Sequence, residues 1–504
     1  MRFGKLTAVF VILVGALSMA GQTLAPHELL DPLDPRLPSP IYELWLRAKT
    51  LETIPTGRER YRQGFFRNLA IDSITGKLAV SPDRYPLRFE NGDFRFRIGF
   101  RLSENWLGFK ESGDNFSSLQ SSICVNGYAK IKNKIDFYED ITLYREDNTL
   151  NLGQATQTGE FLRDPLISYP SYWTDPLEGG PLDFDIASDR AVIALNLYGI
   201  DITAGHERLI QKPGYRNGLL FSGLARPIDL FYKFDYRFWK IGLTSFSGQL
   251  SGEKKKFISG KRITIDIWRD LRIGLAEAVS FFDDPSAYIN PIMPVFVSQR
   301  QRPNNDDNLL AAIDISYYPT RSLQLYGEFL NDDFMYFESK DRGPSKYAFL
   351  AGLAQKNFFV DYLDFQIEYC RAAKWTYTHV SRVNAWSHAG QPLGFWLGPD
   401  ADELFCQLTW IAGPSSLLRL AFDRVRKGQG TLDLPYEVEG GDKTPKFPSG
   451  AVEKSTGAWF DLRQVFGDLA VAGRIGMRRV INPDNVIGRK VENPFVHIIV
   501  KAEF

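Results

Sequence analysis

The chain has little with which to build a metal or thiol site: 3 Cys and 5 His in 504 residues. Cys124, Cys370 and Cys406 cannot all pair with one another, so disulfides do not organise the fold. His27, His206, His379, His388 and His497 show no H-E-x-x-H and no close ligand spacing, which removes the usual zinc signatures. No G-x-S-x-G surrounds a serine, and the neighbours His379/Ser381 and Ser387/His388 specify no catalytic triad. A net charge is also missing: Lys plus Arg and Asp plus Glu are 60 each, so no electrostatic case for nucleic acid arises. Past the N-terminus no stretch reaches about 18 uninterrupted apolar residues. With a mean hydropathy of −0.23 this excludes a polytopic helical membrane protein, but not a barrel, whose strands are only half apolar. No fixed-period repeat points to a propeller or solenoid. Neither an enzyme, a metal site nor a cofactor is expected.

Aromatic residues, by contrast, are plentiful: 10 Trp, 22 Tyr and 37 Phe, 14 % of the chain. Barrel girdles and sugar-binding surfaces both use them. At the N-terminus Arg2 and Lys5 precede the apolar run Leu6 to Leu17, and small residues follow, so residues 1–20 read as an export signal cut after Ala20. Residues 21–88 read as a periplasmic extended and helical segment. Ser39 offers an N-cap and Pro40 a first helical position, and Ile41, Leu44, Trp45, Ala48 and Leu51 recur at helical spacing over 40–52.

From Phe89 the pattern changes to strands. In "DFRFRIGFRL" (93–102) Phe94, Phe96, Ile98, Phe100 and Leu102 share one side, and Arg95, Arg97 and Arg101 the other, because side chains alternate along a strand. A soluble sandwich could bury those phenylalanines; a membrane barrel would turn them to lipid and the arginines to the lumen. Hairpin signals at Arg269-Asp270, Gly413-Pro414-Ser415 and Gly467-Asp468 alternate with long stretches, read as polar, at 283–308 and 426–455. Tight turns on one side and long loops on the other suit a barrel. The chain ends in "NPFVHIIVKAEF", with Val496, Ile498, Val500, Ala502 and Phe504 on one face. That pattern resembles the C-terminal signal by which outer-membrane barrels are recognised for assembly, and it decides for lipid around Phe94. The expected fold is all-β: over 89–504, a transmembrane antiparallel barrel of roughly 16–18 strands, given spans of 9–11 residues.

Five ordered blocks then resemble the capsule assembly Wzi family, outer-membrane barrels acting as lectins for capsular polysaccharide. They are "IDITAGHERLIQKPGYRNGLLFSGLARPIDLFYKF" (200–234), "SAYINPIMPVFVSQRQRPNNDDNLLAAIDISYYP" (286–319), "LQLYGEFLNDDF" (323–334), "EYCRAAKWTYTH" (368–379) and "HAGQPLGFWLGPDADELF" (388–405). The resemblance implies a bacterial outer-membrane protein that binds or anchors surface or capsular polysaccharide. A diffusion channel with anion preference is the alternative; a plugged lumen favours the first and a continuous water path the second. Expected partners are the polysaccharide, outer-membrane lipid and, through the last strand, the assembly machinery, with a monomeric barrel and no nucleic acid.

Acidic sugars need cations and rings together. Lys212, Tyr215 and Arg216 offer them in one glycine-rich turn, and Arg371, Lys374, Trp375 and Tyr377 in a second segment. An ordinary hairpin loop and an interface girdle are the plainer readings of the two. Glu328, Asp332 and Asp333 join Arg95, Arg97 and Arg101 as expected lumen residues, with Arg371 a suggested partner of the carboxylates. "PNNDDN" (303–308) and "GPDADE" (398–403) lack EF-hand spacing and read as polar loops.

Overall fold

The computed structural model describes residues 87–503 apart from 112–113, 133, 149–184, 189–190, 198–199, 252–254, 269, 303–305, 321, 333–342, 414–415 and 467–468. The expected leader, the helix over 40–52 and nearly all of 21–88, and Phe504 lie outside the described residues.

In chain order the strands begin with β1 (Leu87–Asn91), β2 (Phe94–Glu111), β3 (Asp114–Ile131), β4 (Ile135–Asn148), β5 (Asp185–Ala187), β6 (Ala191–Leu197), β7 (Ile200–Glu207), β8 (Ile210–Gln211) and β9 (Phe221–Ser222). Then come β10 (Ile228–Phe238), β11 (Ile241–Leu250), β12 (Lys256–Asp266), β13 (Leu271–Phe282), β14 (Asn308–Thr320), β15 (Leu323–Asn331), β16 (Tyr347–Gln355) and β17 (Leu363–Ala372). The series ends with β18 (Ser387–His388), β19 (Gln391–Pro392), β20 (Ala401–Gly413), β21 (Ser416–Lys427), β22 (Glu453–Phe466), β23 (Leu469–Ile481) and β24 (Lys490–Glu503). One short helix, α1 (Val295–Arg300), interrupts the connection from β13 to β14.

Among the described residues twenty strands form one antiparallel sheet; β1 and β5 are short additions, and the other 18 close into a barrel through pairing of β2 with β24. β3 takes one whole edge of β2. The other edge is shared: β24 pairs with Arg101–Phe109, and β1 with Phe94–Ile98, so the two lie end to end.

Period-two alternation makes these segments barrel staves rather than sandwich strands. On β14, Leu310, Ala312 and Asp314 are buried while Ile313 and Ile315 are exposed. Exposed Ile263, Leu275, Leu420, Leu462, Ile475 and Ile498 continue that outward apolar belt. Trp239, Trp268, Phe359 and Phe466 stand exposed at or beside the short turns, an aromatic girdle at the end that in such barrels faces the periplasm. The long connections leave from the opposite, extracellular end. Each hairpin expected at Arg269-Asp270, Gly413-Pro414-Ser415 and Gly467-Asp468 joins neighbouring strands at the short-turn end. Around the opening segment, Phe100 is exposed and Cys124, the cross-strand partner of Arg101, is 6 % exposed, which puts Phe100 on the outer parity of β2 and Arg101 on the other. Arg95 and Arg97 pair across the ladder with Lys130 and Tyr128, both of which reach Asp136.

Candidate functional site

The lumen is filled by two connections that fold inward from the long-loop end: 208–227, between β7 and β10, and 373–400, between β17 and β20. Their Leu219, Leu220, Phe221, Tyr377, Trp386 and Phe395 pack with wall residues such as Phe246, Ile258, Ala278 and Leu350 in one apolar cluster. Buried polar groups, backbone and side chain alike, need partners, and three inward-facing glutamates supply them. Glu328 on β15 accepts from the Leu219 N–H at 2.9 Å and the Leu220 N–H at 3.3 Å. Glu368 on β17 accepts from the Asn217 N–H at 2.8 Å, the Arg216 N–H at 3.5 Å and the Tyr326 hydroxyl at 2.8 Å. Glu403 on β20 accepts from Arg216 Nη2 at 2.6 Å, Asn217 Nδ2 at 2.8 Å and Trp396 Nε1 at 3.1 Å. A carboxyl group can accept several such bonds at once, so three side chains answer eight donors of the two loops and the wall.

The loop 208–227 goes deep. Gln324, the second residue of β15 from the short-turn end, donates to the Pro213 carbonyl at 3.3 Å, and Lys356 lies 5.6 Å from the Tyr215 ring centre. Its tip therefore reaches the periplasmic part of the lumen. Gly214 allows this approach: a Cβ there would meet the Tyr326 ring at 2.5 Å and Glu368 Oε2 at 2.6 Å. The two loops also hold each other. Tyr377 Oη donates to the Leu219 carbonyl at 2.7 Å, Trp386 Nε1 to the Leu220 carbonyl at 2.9 Å, and Ser222 N–H to the Leu393 carbonyl at 2.9 Å. Gly394 has no room for a Cβ, which would collide with the Leu219 carbonyl.

A histidine pins three connections together. The Ser251 N–H donates to His388 Nδ1 at 2.9 Å, so the ring proton is on Nε2 and is donated to the Pro227 carbonyl at 2.9 Å. Burial pushes His388 down to about 4, helped by the nearby Lys256 charge, so the ring is neutral at physiological pH. Lys256 Nζ bonds the Ala385 carbonyl at 2.6 Å and the Ser387 carbonyl at 2.8 Å, fixing the same loop to the barrel rim.

The residues singled out in the sequence fall in two separate places. Lys212 holds the inner loop's own turn, bonding the Tyr215 carbonyl at 2.9 Å and the Arg216 carbonyl at 3.2 Å. Arg216 is sealed between Glu403, Asp423 at 3.7 Å and the Phe405 ring at 4.1 Å. Tyr377 is fully buried. The second segment lies at the extracellular rim. Arg371 stacks 3.7 Å from the Phe447 ring centre, Lys374 bonds Glu439 at 2.6 Å, and Trp375 packs edge-on to Tyr436 at 5.1 Å. "QKPGYRNG" is thus part of a plug rather than an ordinary hairpin loop, and Trp375 and Tyr377 belong to an inward connection rather than a girdle.

Glu328 and Asp332 both point inward, but the suggested partnership with Arg371 is corrected. Arg371 has the opposite parity to inward-facing Glu368, Cys370 and Ala372, which puts it on the outer face of β17. Asp332 instead accepts from the Tyr377 N–H at 2.6 Å. Asp333 lies outside the described residues. Glu368 and Glu403 were not singled out. Their signal was an acid on the inward parity, shared with Asp364 in "DFQIEYCRA" and placed at the start of "DELFCQLTW". Asp400 of "GPDADE" is a loop tie, accepting from Ser449 N–H and Gly430 N–H at 3.0 Å each. Among the described residues no group of three or more His, Cys, Asp or Glu could hold a metal.

The family model for capsule assembly protein Wzi matches residues 183–493, more than half of the chain. The chain belongs to the Wzi capsule assembly family. The match runs past the five blocks, taking in β21 to β23 and the first four residues of β24. Among solved structures, Wzi of Escherichia coli, described as an outer-membrane protein involved in group 1 capsule assembly and a carbohydrate-binding β-barrel, superposes with a TM-score of 0.52 at 12 % identity. The alignment covers 80 % of this chain and 84 % of that one. OprD of Pseudomonas aeruginosa gives a TM-score of 0.46 at 12 % identity, covering 81 % and 95 % of the two chains. OccAB4 of Acinetobacter baumannii gives 0.46 at 9 % identity, covering 84 % and 100 %. At such identities the likeness to Wzi speaks for the barrel fold. No curated protein matches the chain in sequence. With the family, the protein is an outer-membrane β-barrel.

Proposed function

We propose that this barrel holds surface or capsular polysaccharide at the outer membrane as a lectin, without catalysis. The observation that carries this reading is the plug. Two connections packed on each other and tied by Glu328, Glu368 and Glu403 leave the barrel wall as a rigid mount for its extracellular loops rather than as a conduit. A binder of long repetitive glycan works through many weak contacts, which favours a fixed, broad surface over a deep pocket. Arg371 and Lys374 with the half-buried Phe447 and Tyr436 rings supply cations and rings at that rim, the pairing that acidic sugars need, while buried Trp375 backs the Tyr436 ring from beneath. Lys212, Tyr215, Arg216 and Tyr377 act from beneath, by holding the plug on which the rim rests. The barrel acts as a monomer and reaches the membrane through assembly machinery that reads its last strand.

Cells lacking the protein should release polysaccharide into the medium, and the wild-type gene should restore retention. Arg371→Gln with Lys374→Gln should lower retention while the amount of heat-modifiable barrel is unchanged. Unchanged retention together with steady conductance of the wild-type protein in planar bilayers would replace the lectin with an anion-preferring channel.

A further inference from the structure

The connection 283–307 folds in the opposite direction from the plug, over the outer wall of the barrel. Strands β12 and β13 carry two cores on their two faces. Ile258, Ala276 and Ala278 point into the lumen cluster, whereas Phe257, Val279 and Phe281, of the other parity, form a separate cluster with Tyr288 and Val295 of the connection. Leu275, two residues below Glu277 on that same outward parity, is 47 % exposed on the lipid-facing wall. The flap is tied down at several points. Outward-facing Glu277 accepts from the N–H groups of Val295 and Phe296 at the start of α1. Ser259 Oγ donates to the Tyr288 carbonyl at 3.0 Å and Tyr232 Oη to the Ile289 carbonyl at 2.8 Å.

Its height on the barrel follows from strand geometry. Glu277 stands about six residues above the short-turn end of β13, and Phe281 about ten. At about 3.3 Å per residue and a tilt near 40°, that is about 15 and about 25 Å along the barrel axis, against an apolar band about 25 Å tall. The Tyr232 tie to Ile289, also about six residues above the end of β10, gives the same lower limit of about 15 Å. The flap therefore sits alongside the upper half of the lipid-facing band. There it leaves Ile289, Ile292 and Phe296 at 45 %, 87 % and 47 % exposure, continuous with the exposed Leu275, Ile313 and Ile315 below.

We infer that this flap is a lipid-contact element, with Ile289, Ile292 and Phe296 seated among the acyl chains of the outer leaflet. Apolar side chains at that height gain by leaving water and lose nothing by meeting hydrocarbon. The barrel thus grips the leaflet on one flank, β10 to β14, beyond what its staves supply. This inference stands apart from the polysaccharide reading and does not depend on it.

The test places the photoreactive residue p-benzoylphenylalanine singly at Ile292, Phe296, Leu275 and Ile487, and irradiates intact cells. Leu275 is the lipid-facing control, and Ile487, in the connection between β23 and β24, the extracellular-loop control. Only heat-modifiable, folded barrel is scored. Lipid adducts at 292 and 296 comparable in yield to those at 275, and several-fold above those at 487, are expected. Adducts to a protein, whether a second copy or another chain, would overturn the inference. So would yields at 292 and 296 no higher than at 487 while 275 reports lipid.

Discussion

Two connections of this barrel use one device to opposite ends. In the plug, Glu328 and Glu368 each hold two consecutive backbone N–H groups, Leu219/Leu220 and Arg216/Asn217. On the outer wall Glu277 holds Val295 and Phe296 in the same way. A carboxylate has two oxygens set at about the spacing of adjacent amides, so it can fasten irregular chain to a regular wall. The difference lies in the surroundings. Glu328, Glu368 and Glu403 are at most 4 % exposed, and every polar group of the tip must be answered by protein. The flap keeps half its apolar side chains outward and needs only its turn secured. Inside, the ties decide whether the lumen is closed; outside, they decide only where a segment rests.

The comparison breaks most sharply at Glu403. Glu403→Ala removes the oxygen that accepts from both Nε and Nη2 of Arg216 and strands Asn217 Nδ2 and Trp396 Nε1. Uncoupling a buried ion pair should cost about 3–5 kcal/mol, read from denaturant unfolding in lipid vesicles. The same variant should show conductance openings in planar bilayers that the wild type lacks. A stable, silent barrel would mean that the ties do not hold the plug.

Acid should act next. The folded His388 titrates at about 4 and an unfolded histidine near 6.5, so between those values the unfolded chain binds the extra proton. Stability is therefore full above about pH 6.5 and falls as pH drops toward 4, by at most about 3 kcal/mol. His388→Asn should flatten that part of the unfolding profile; an unaltered slope would remove His388 from the pin. Smaller still, Glu328→Gln keeps one acceptor oxygen while replacing the second with an amide NH2, and should cost about 1–2 kcal/mol with brief rather than sustained conductance openings. Smallest is Glu277→Gln, expected to cost about 1 kcal/mol or less, with faster protease cleavage within 283–302 and no conductance. Conductance from Glu277→Gln would deny that the two ties serve separate faces.

The staves were legible because their signal is local. Parity along "DFRFRIGFRL" and "NPFVHIIVKAEF", and turn residues such as Gly413-Pro414, depend on neighbours in sequence and lead to a barrel of roughly 16–18 strands, where the structure has 18. The direction in which a connection folds is not local. Nothing near Asn217 in sequence announces Glu368, 151 residues away. Parity bears on single strands: it sets Glu328 on the face of β15 that the structure buries, and along β17 it sets Arg371 opposite to Glu368, away from the carboxylates. The stretch 283–308 read as polar from its ends, yet its middle, "YINPIMPVF", is apolar and packs on the barrel's outside. A long loop with an apolar centre signals burial somewhere, without saying on which side of the wall.

The shared edge of β2 bears on how the barrel closes. Each other neighbour pairing in the barrel joins successive staves, but β2 and β24 meet across nearly the whole chain, as at Phe109 with Phe495. For a loop of about 400 residues the length-dependent entropy of that meeting is about 5 kcal/mol. β1, which precedes β2 by a two-residue turn, takes Phe94–Ile98 at almost no such cost. When β24 arrives, only the edge from Arg101 onward is vacant. β1 is thus a stop for the sliding of the last strand: it sets the shear at which the cylinder closes, and so the tilt of every stave around the plug.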